Sequence, residues 1–287
     1  MSGRPQADIA RVNWEQIKVA HLLLPPYEAT DLVNVATPGA IAVGYHGQKK
    51  ATLQTTGGRV LSIDLEPGDI GLTGPEPVRW LKLNQRAEVV EISASSALRW
   101  EIAEELGVER FRDLDDSHGW RDTYVWSHVS RLRMAVRKKI SLTDLEGDEL
   151  VRRIYARVFH ARFGAPALVL PGELEQDRLK RVTEFVEAYL GEPLTLTSLA
   201  RCAALSPFHF ARAFKRTTGW APHQFVTIRR IERARHLLMR TRESVESIAA
   251  AVGFSNLSHF RRLFRAHTGI LPSDLRGGRL PSARRRV

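Results

Sequence analysis

The pattern of apolar and polar residues changes near residue 95. Before it, apolar and polar positions alternate within short segments, as in half-buried strands; these are LVNVA, AIAVGYH, KATLQTT, RVLSIDL, DIGLTG, VRWLKL and AEVVEIS, all between residues 31 and 94. Turn-forming pairs separate them, such as Pro38-Gly39 and Gly57-Gly58. Short strands at this spacing predict an antiparallel sandwich or small barrel.

Helical periodicity follows the strands. In SSALRWEIAEELG, residues 95–107, leucine and isoleucine recur every four positions before a glycine. Segments 120–140 and 145–164 are also predicted to be helical. GAPALVLPGE, residues 164–173, contains two prolines and two glycines and predicts a linker. Beyond it, the pattern to about residue 276 indicates helix, turn and helix.

A short phrase occurs twice in this helical part. HFARAFKRTTG at residues 209–219 and HFRRLFRAHTG at 259–269 share six of their eleven positions. Each phrase ends in a glycine, the residue that often follows a helix C-terminus. A serine precedes each phrase, Ser206 or Ser255, and we expect it to cap the helix N-terminus. The repeat therefore predicts two similar helices.

A shorter helix and a tight turn are predicted before each phrase. The segments LTSLARCAA and VESIAAAVG each contain a small residue, Ala200 or Ala249, that lets two helices cross closely. Two short helices joined by a tight turn form a helix-turn-helix unit. The sequence therefore predicts such units at about residues 195–218 and 244–268.

The segment between the two units has the spacing of one amphipathic helix. In PHQFVTIRRIERARHLLMR, residues 222–240, apolar residues recur three and four positions apart. A helix of this length spans ~28 Å. That length is comparable to the ~34 Å between successive major-groove faces of B-DNA. The helix therefore has a suitable length to hold two reading helices, meaning helices that contact the bases of DNA, on one side of a duplex.

Charge is distributed unevenly along the chain, whose formal net charge is +11. Residues 176–287 contain 21 Lys+Arg and 8 Asp+Glu, a net charge of +13, whereas residues 1–175 have a net charge of −2. This asymmetry indicates that the C-terminal part meets a polyanion. The alternative is a solubilising basic face. The tail, residues 277–287, is predicted to add non-specific affinity.

Composition excludes some classes of protein. No apolar run approaches the roughly 18 residues of a membrane span, and the N-terminus has no apolar core of a secretion signal. The one cysteine, Cys202, permits no internal disulfide and no cysteine-based metal cluster. We therefore expect a cytoplasmic protein.

Three phrases resemble the AraC/XylS family of bacterial transcription regulators. They are LTLTSLARCAALSPFHFARAFKRTTGWAPHQF, RRIERARHLL and SVESIAAAVGFSNLSHFRRLFRAHTGILPSDLR. The resemblance covers residues 176–276. It implies an all-helical DNA-binding domain with two helix-turn-helix units, each placing one helix in the major groove, and a linker helix between them.

The resemblance also implies an α+β multidomain chain. Its N-terminal part, residues 1–164, is expected to be a cupin-like antiparallel β domain with trailing helices, which has a regulatory and dimerising role. Residues 165–175 are expected to be a linker, residues 176–276 the DNA-binding domain and residues 277–287 a basic tail. The predicted helices at 120–140 and 145–164 are candidates for the dimer interface, by family analogy and by their amphipathic pattern.

Specific residues follow from the resemblance. On the DNA-facing side it places Phe208, Ala211 and Arg212 of the first reading helix, and Asn256, Ser258, Arg261 and Arg262 of the second. Arginine pairs with guanine O6/N7 or with phosphate. Phe208 is either a contact for a thymine methyl group or a core residue at the helix edge. Because the first helix has fewer hydrogen-bonding groups, we hypothesise that the second contributes at least as much base readout.

Other polar residues near these helices have two interpretations. Lys215, Arg216 and Arg265 are either phosphate contacts or solvated charges. His209 and His259 are interpreted as packed or capping histidines rather than base contacts. Beyond their capping role, Ser206 and Ser255 mark helix N-termini whose backbone amides are suited to bind phosphate.

The sequence thus predicts a sequence-specific DNA-binding transcription regulator, and the family resemblance implies that it is an activator. Its expected partners are double-stranded DNA, a second copy of the chain and RNA polymerase, with a small-molecule effector as an option. The alternative is a small-molecule-binding or protein-interaction module in which DNA contact is secondary. Tyr45, Trp80 and Leu83 either line its pocket or fill an ordinary β core.

No enzymatic activity, metal or cofactor is expected. Family members that repair alkylated DNA use N-terminal cysteines, and residues 1–201 contain none. The predicted strand region contains one histidine, His46, which is too few for the histidine cluster of a cupin metal site. No nucleophile elbow, P-loop or dinucleotide fingerprint is present.

Overall fold

The structure is a computed structural model of the 287-residue chain. It describes residues 8–28, 37–54, 58, 60–75, 79–109 and 111–276. The chain divides into two compact units, residues 1–168 and residues 169–287.

The N-terminal unit is built from strands followed by helices. In chain order these are β1 (Asp8–Trp14), β2 (Ile17–Leu24), β3 (Tyr27–Glu28), β4 (Ile41–Gly44), β5 (Gln48–Gln54), β6 (Val60–Leu65), β7 (Ile70–Leu72), β8 (Arg79–Leu83), β9 (Ala87–Ala94), α1 (Ser96–Glu105), β10 (Ser117–Trp120), α2 (Thr123–Val136) and α3 (Asp144–Phe163).

The strands form two antiparallel sheets. One has the order β1-β2-β9-β4-β7-β10 and the other β3-β8-β5-β6. Ala51 and Leu83 of the second sheet pack in one apolar cluster with Ala87 of the first. Burial follows the two-residue period of a strand: in β2, Ile17 and Val19 are buried while Lys18 is exposed. The predicted antiparallel β region is therefore confirmed.

Strands also form before the predicted strand region of residues 31–94, where none was predicted. β1 and β2 form a hairpin before that point, with Trp14 paired to Ile17 and Asp8 paired to Leu23. The two-residue turn Glu15-Gln16 contains neither glycine nor proline, so the usual turn signal is missing. The predicted strand LVNVA, residues 32–36, lies outside the described residues.

The helices of this unit use their apolar faces internally. α2 buries Val125, Val129 and Leu132, and α3 buries Ile154 and Phe159. These helices pack on each other and against the β1–β2 hairpin. These apolar side chains are therefore covered within the unit, and the dimer interface expected at these helices stays a prediction.

The C-terminal unit is helical throughout its described part. Its helices are α4 (Gln176–Ala188), α5 (Leu196–Cys202), α6 (Pro207–Thr218), α7 (Pro222–Arg240), α8 (Val245–Ala251), α9 (Leu257–Thr268) and α10 (Pro272–Arg276). The predicted helix at 222–240 is confirmed. We call α5 with α6 the first helix pair, and α8 with α9 the second helix pair.

The long helix α7 contributes to the core at both of its ends. Near its start, the Phe225 ring lies 5.3 Å from the Phe214 ring of α6. Near its end, Ile231, Ala234 and Leu238 join the buried cluster that the second helix pair forms. Both helix pairs are therefore anchored on one continuous helix.

Candidate nucleic-acid interface

The start and end of α6 are fixed by its sequence. Ser206 is the N-cap, and its hydroxyl accepts a hydrogen bond from the backbone N–H of His209 at 3.4 Å. Pro207 occupies the first helical position, where a missing N–H removes no hydrogen bond of the helix. Gly219 ends the helix in the left-handed conformation, with φ of +75°.

The predicted cap of α9 was wrong. Asn256, not Ser255, is the N-cap, and its side chain accepts from the backbone N–H of His259 at 2.8 Å. The turn before α9 is one residue longer than the turn before α6, which moves the helix start past the serine. Asparagine caps a helix as well as serine does. The Asn256 side chain therefore holds the helix end, whereas the prediction assigned it to the DNA-facing side.

The inner faces of α6 and α9 are equivalent. Phe210 and Phe214 of α6 are buried, as are Phe260 and Phe264 of α9. Four-residue spacing places each pair on one side of its helix. Because these side chains fix the rotation of each helix, they also determine which residues point to solvent.

The outer face of α6 combines an aromatic ring with basic groups. Phe208 is 65 % exposed, so its interpretation as a core residue is wrong. The Arg212 guanidinium lies 5.6 Å from the centroid of the Phe208 ring, within range of a cation–π interaction. Ala211 is half-buried, and Lys215 and Arg216 are exposed.

The outer face of α9 presents three arginines and a serine. Ser258, Arg261, Arg262 and Arg265 are all exposed. Arg261 donates from Nη2 to Oε1 of Glu246, in the first turn of α8, at 3.2 Å. A row of arginines on one exposed helix face is suited to phosphate oxygens and guanine edges.

The two histidines of the repeated phrase are both exposed. The Nδ1 atom of His209 lies 2.8 Å from the Ser206 hydroxyl, so this ring takes part in the cap of α6. The His259 ring meets the Phe254 ring edge-on, with 6.1 Å between centroids. Each ring therefore has a local partner within its own helix pair.

An arginine holds the turn of each helix pair. Arg178 of α4 donates to the Ala203 carbonyl at 2.9 Å, in the turn of the first pair. Arg230 of α7 donates to the Gly253 carbonyl at 2.9 Å and to the Leu190 carbonyl at 2.9 Å. Burial lowers the pKa of Arg230. The sequence pattern predicts neither contact, because nothing in it links an arginine to a turn some 25 residues away.

The predicted pocket residues of the N-terminal unit are buried where they are described. Tyr45 and Leu83 are 3 % and 5 % exposed, while the Trp80 side chain lies outside the described set. The Tyr45 ring lies 4.1 Å from the Arg133 guanidinium, and its hydroxyl is 3.0 Å from the Ser130 hydroxyl. Tyr45 is therefore part of the interior.

A buried polar cluster surrounds Glu88 in the same unit. Its carboxylate accepts from Arg133 Nε at 2.8 Å, lies 2.9 Å from His21 Nε2 and 3.7 Å from His46 Nε2. Burial lowers the pKa of His21, against the opposing effect of Glu88. The sequence pattern does not predict this cluster, because His21 lies on β2, in the hairpin that lacks a typical turn signal.

Two other features are not found in the part of the chain that the structure describes. None of their histidine, cysteine, aspartate and glutamate side chains assemble in groups of three or more that would hold a metal ion. Within the same part of the chain, no helix is both long and apolar enough to cross a membrane.

Comparisons with known proteins point to the helical unit. Residues 199–278 match the family model described as "Helix-turn-helix domain". The chain is 34 % identical over 112 residues to the HTH-type transcriptional activator RhaS of Escherichia fergusonii, an alignment that covers 39 % of this chain and 40 % of RhaS.

A second relative combines two activities in its name. The chain is 34 % identical over 95 residues to the bifunctional transcriptional activator/DNA repair enzyme AdaA of Bacillus subtilis, covering 33 % of this chain and 45 % of AdaA. The chain thus spans less than half the length of these curated relatives.

Among solved structures, a transcriptional regulator of Chromobacterium violaceum with an AraC-type DNA-binding domain is 32 % identical. The match covers 39 % of this chain and 96 % of that one, with a TM-score of 0.35.

Proposed function

Because residues 199–278 match a family model described as a helix-turn-helix domain and this part of the chain is similar to the regulators RhaS and AdaA, we propose that this chain is a sequence-specific DNA-binding transcription regulator of the AraC type and that it acts as an activator. RhaS and AdaA, to which it is similar, are both named as transcriptional activators. The similarity of the helical unit to these relatives supports DNA binding and transcription regulation. The activator role is proposed from the names of the two relatives.

One observation carries the proposal. α6 and α9 have the same buried phenylalanine pair on the inside and arginines on the outside, so two helices are presented in the same way. A stable fold requires the buried phenylalanines, whereas it does not require a row of exposed arginines. Two similar helices with exposed basic side chains are suited to bind two successive major grooves of DNA.

We further propose two helix-turn-helix units, α5–α6 and α8–α9, joined by α7. The contact residues of the first are Phe208, Ala211, Arg212 and Lys215, and those of the second are Ser258, Arg261, Arg262 and Arg265. Ser206 and Asn256 cap the two reading helices, and their N-terminal backbone amides are suited to a phosphate. Asn256 remains near the DNA in this arrangement, but as a cap.

The second unit contributes at least as much base readout as the first. On its outer face α9 has three arginines and a serine, whereas α6 has Arg212, Lys215 and Arg216 beside Phe208 and the half-buried Ala211. A bidentate arginine–guanine pair discriminates against the wrong base by ~1–3 kcal/mol. An alanine provides at most an apolar contact.

For the rest of the chain we propose a regulatory and dimerising N-terminal domain of cupin-like type. The domain boundaries are residues 1–164, a linker at 165–175, the DNA-binding domain at 176–276 and a basic tail at 277–287. The two antiparallel sheets and the division of the chain after residue 168 support this organisation. A second copy of the chain and RNA polymerase are the proposed protein partners, and the proposed location is the cytoplasm.

Selection of bound duplexes from a random pool tests the main proposal. We expect the full-length chain to enrich one sequence with two half-sites about one helical turn apart. Arg212→Ala and Arg262→Ala are then compared on single-base variants of that sequence. Each is expected to relax specificity at its own position, by ~5- to 150-fold.

Lys180→Ala is the matched control, since Lys180 is an exposed cation on α4, outside α6 and α9. It is expected to leave base preference unchanged. If no sequence is enriched, the proposed function is wrong. If only Arg212→Ala relaxes specificity, the stronger role of the second unit is wrong.

A further inference from the structure

One acidic side chain lies beside the arginines of the proposed second reading helix. Glu246, in the first turn of α8, accepts from Arg261 Nη2 of α9 at 3.2 Å. Both side chains are largely exposed, at 60 % for Glu246 and 48 % for Arg261. The ion pair thus bridges the two helices on the solvent side.

Fold stability does not account for this ion pair. Exposed ion pairs contribute little to stability, because water and salt screen them. The second helix pair is already held by Phe260, Phe264 and Ile248, all fully buried. A carboxylate beside arginines that bind DNA also opposes affinity, since it repels phosphate.

The first helix pair has neither member of the ion pair. The equivalent of Glu246 is Thr197, 49 residues earlier, and the equivalent of Arg261 is Ala211, 50 residues earlier. The offset changes because the second turn contains one additional residue. The second helix pair therefore has both Glu246 and Arg261, and the first helix pair has neither a glutamate nor an arginine at the equivalent positions.

We propose that Glu246 is a positioning residue that fixes Arg261 for a base edge and keeps it from phosphates. This inference rests on the proposed function. A guanidinium has five N–H donors, so one bond to Glu246 leaves the rest of its edge for guanine O6 and N7. Because a phosphate contact would break the ion pair, Glu246 raises the free energy of the phosphate contacts that Arg261 could make on any sequence. Glu246 thereby lowers non-specific affinity and increases selectivity.

A double-mutant cycle in the full-length chain tests the role of Glu246. The variants are Glu246→Gln, Arg261→Ala and their combination, each measured on the selected duplex and on a random duplex of equal length over a range of salt concentrations. Glu184→Gln is the control; Glu184 lies on α4, and its carboxylate is 3.9 Å from Lys180 in an ion pair that is also exposed.

We expect Glu246→Gln to tighten binding to the random duplex more than Glu184→Gln does. Release of Arg261 to a phosphate adds about 0.9 to the salt slope. The ratio of affinities for the selected and the random duplex falls by ~5-fold or more. In the Arg261→Ala background, Glu246→Gln should change neither the salt slope nor this ratio.

Two results would overturn the inference while leaving the proposed function intact. One is a Glu246→Gln variant that matches Glu184→Gln on both duplexes, while the parent chain still selects a sequence. The other is an effect of equal size with and without Arg261, which would reflect net charge alone. If the parent chain selects no sequence, both the proposed function and this inference fail.

Discussion

The two helix pairs of the C-terminal unit share an interior but differ at the turn, the cap and the outer face. Phe210 and Phe214 correspond to Phe260 and Phe264, and all four are buried. The small residues Ala200 and Ala249, also buried, occupy the same place on the shorter helices. The shared residues thus determine where α6 and α9 lie.

The differences concern what the helices do and how their turns are held. In the first turn Ala204 adopts a left-handed conformation with φ of +54°, whereas Gly253 occupies the second turn with φ of +87°. The additional residue in the second turn transfers the cap from a serine to Asn256. A duplicated framework can therefore change its turns and surface separately, provided that the buried positions stay the same.

The largest predicted effect tests whether the interiors are equivalent. Phe214→Ala and Phe264→Ala each remove a fully buried ring, and each should lower the free energy of unfolding by ~3–5 kcal/mol. Chemical denaturation followed by circular dichroism measures this. A difference above ~1.5 kcal/mol between the two variants would mean that the cores are not equivalent.

The second prediction concerns the glycine of the second turn. Gly253→Ala should lower the free energy of unfolding by ~2–3 kcal/mol, because an L-residue is strained at positive φ. A Cβ atom there would also lie 2.8 Å from the Leu190 carbonyl oxygen and 2.7 Å from Arg230 Cζ. Thermal unfolding provides the measurement. A cost below ~0.5 kcal/mol would show that this turn adapts easily.

The third prediction separates the two candidate caps of α9. Asn256→Ala removes the acceptor for the His259 N–H and should cost ~1 kcal/mol, whereas Ser255→Ala should stay within ~0.5 kcal/mol. Denaturant midpoints of the two variants give the comparison, with Ser206→Ala as the counterpart in the first pair. A larger cost for Ser255→Ala would place the start of α9 one residue earlier.

The smallest predicted effect is an increase in stability. Ala204→Gly removes left-handed strain of ~1–2 kcal/mol but adds unfolded-state entropy, so a net stabilisation of ~0.5 kcal/mol is expected. Differential scanning calorimetry detects the shift in Tm. A loss of stability would mean that the Ala204 methyl group contributes packing that outweighs the strain, and that the two turns differ in more than their backbone.

Much of the helical unit could be predicted from sequence because its signals are local. Pro207 and Gly219 mark the ends of α6, and the three- and four-residue spacing of apolar side chains marks α7. The N-terminal hairpin lacked such a signal, since Glu15-Gln16 is not a typical turn sequence. Phe208 lies two positions from Phe210, about 200° around α6, so its exposure follows once the Phe210–Phe214 face is taken as the buried one.

Parts of the candidate site depend on residues far apart in the chain. Arg178 donates to the Ala203 carbonyl and Arg230 to the Gly253 carbonyl. In the N-terminal unit, the buried polar cluster brings His21 to Glu88. Long-range polar contacts of this kind follow from the packing of whole elements. A single sequence contains the residues but not their pairing.

The continuous helix α7 has one further consequence, for the angle between the two helix pairs. It meets Phe214 of α6 through Phe225 and ends in the core of α8 and α9 through Leu238. Each residue inserted in its middle would advance one pair by only ~1.5 Å but rotate it by ~100°. The residue count of α7 thus sets the rotation of one helix pair relative to the other. Whether the two proposed reading helices face the same side of a duplex depends on this rotation far more than on the length of α7.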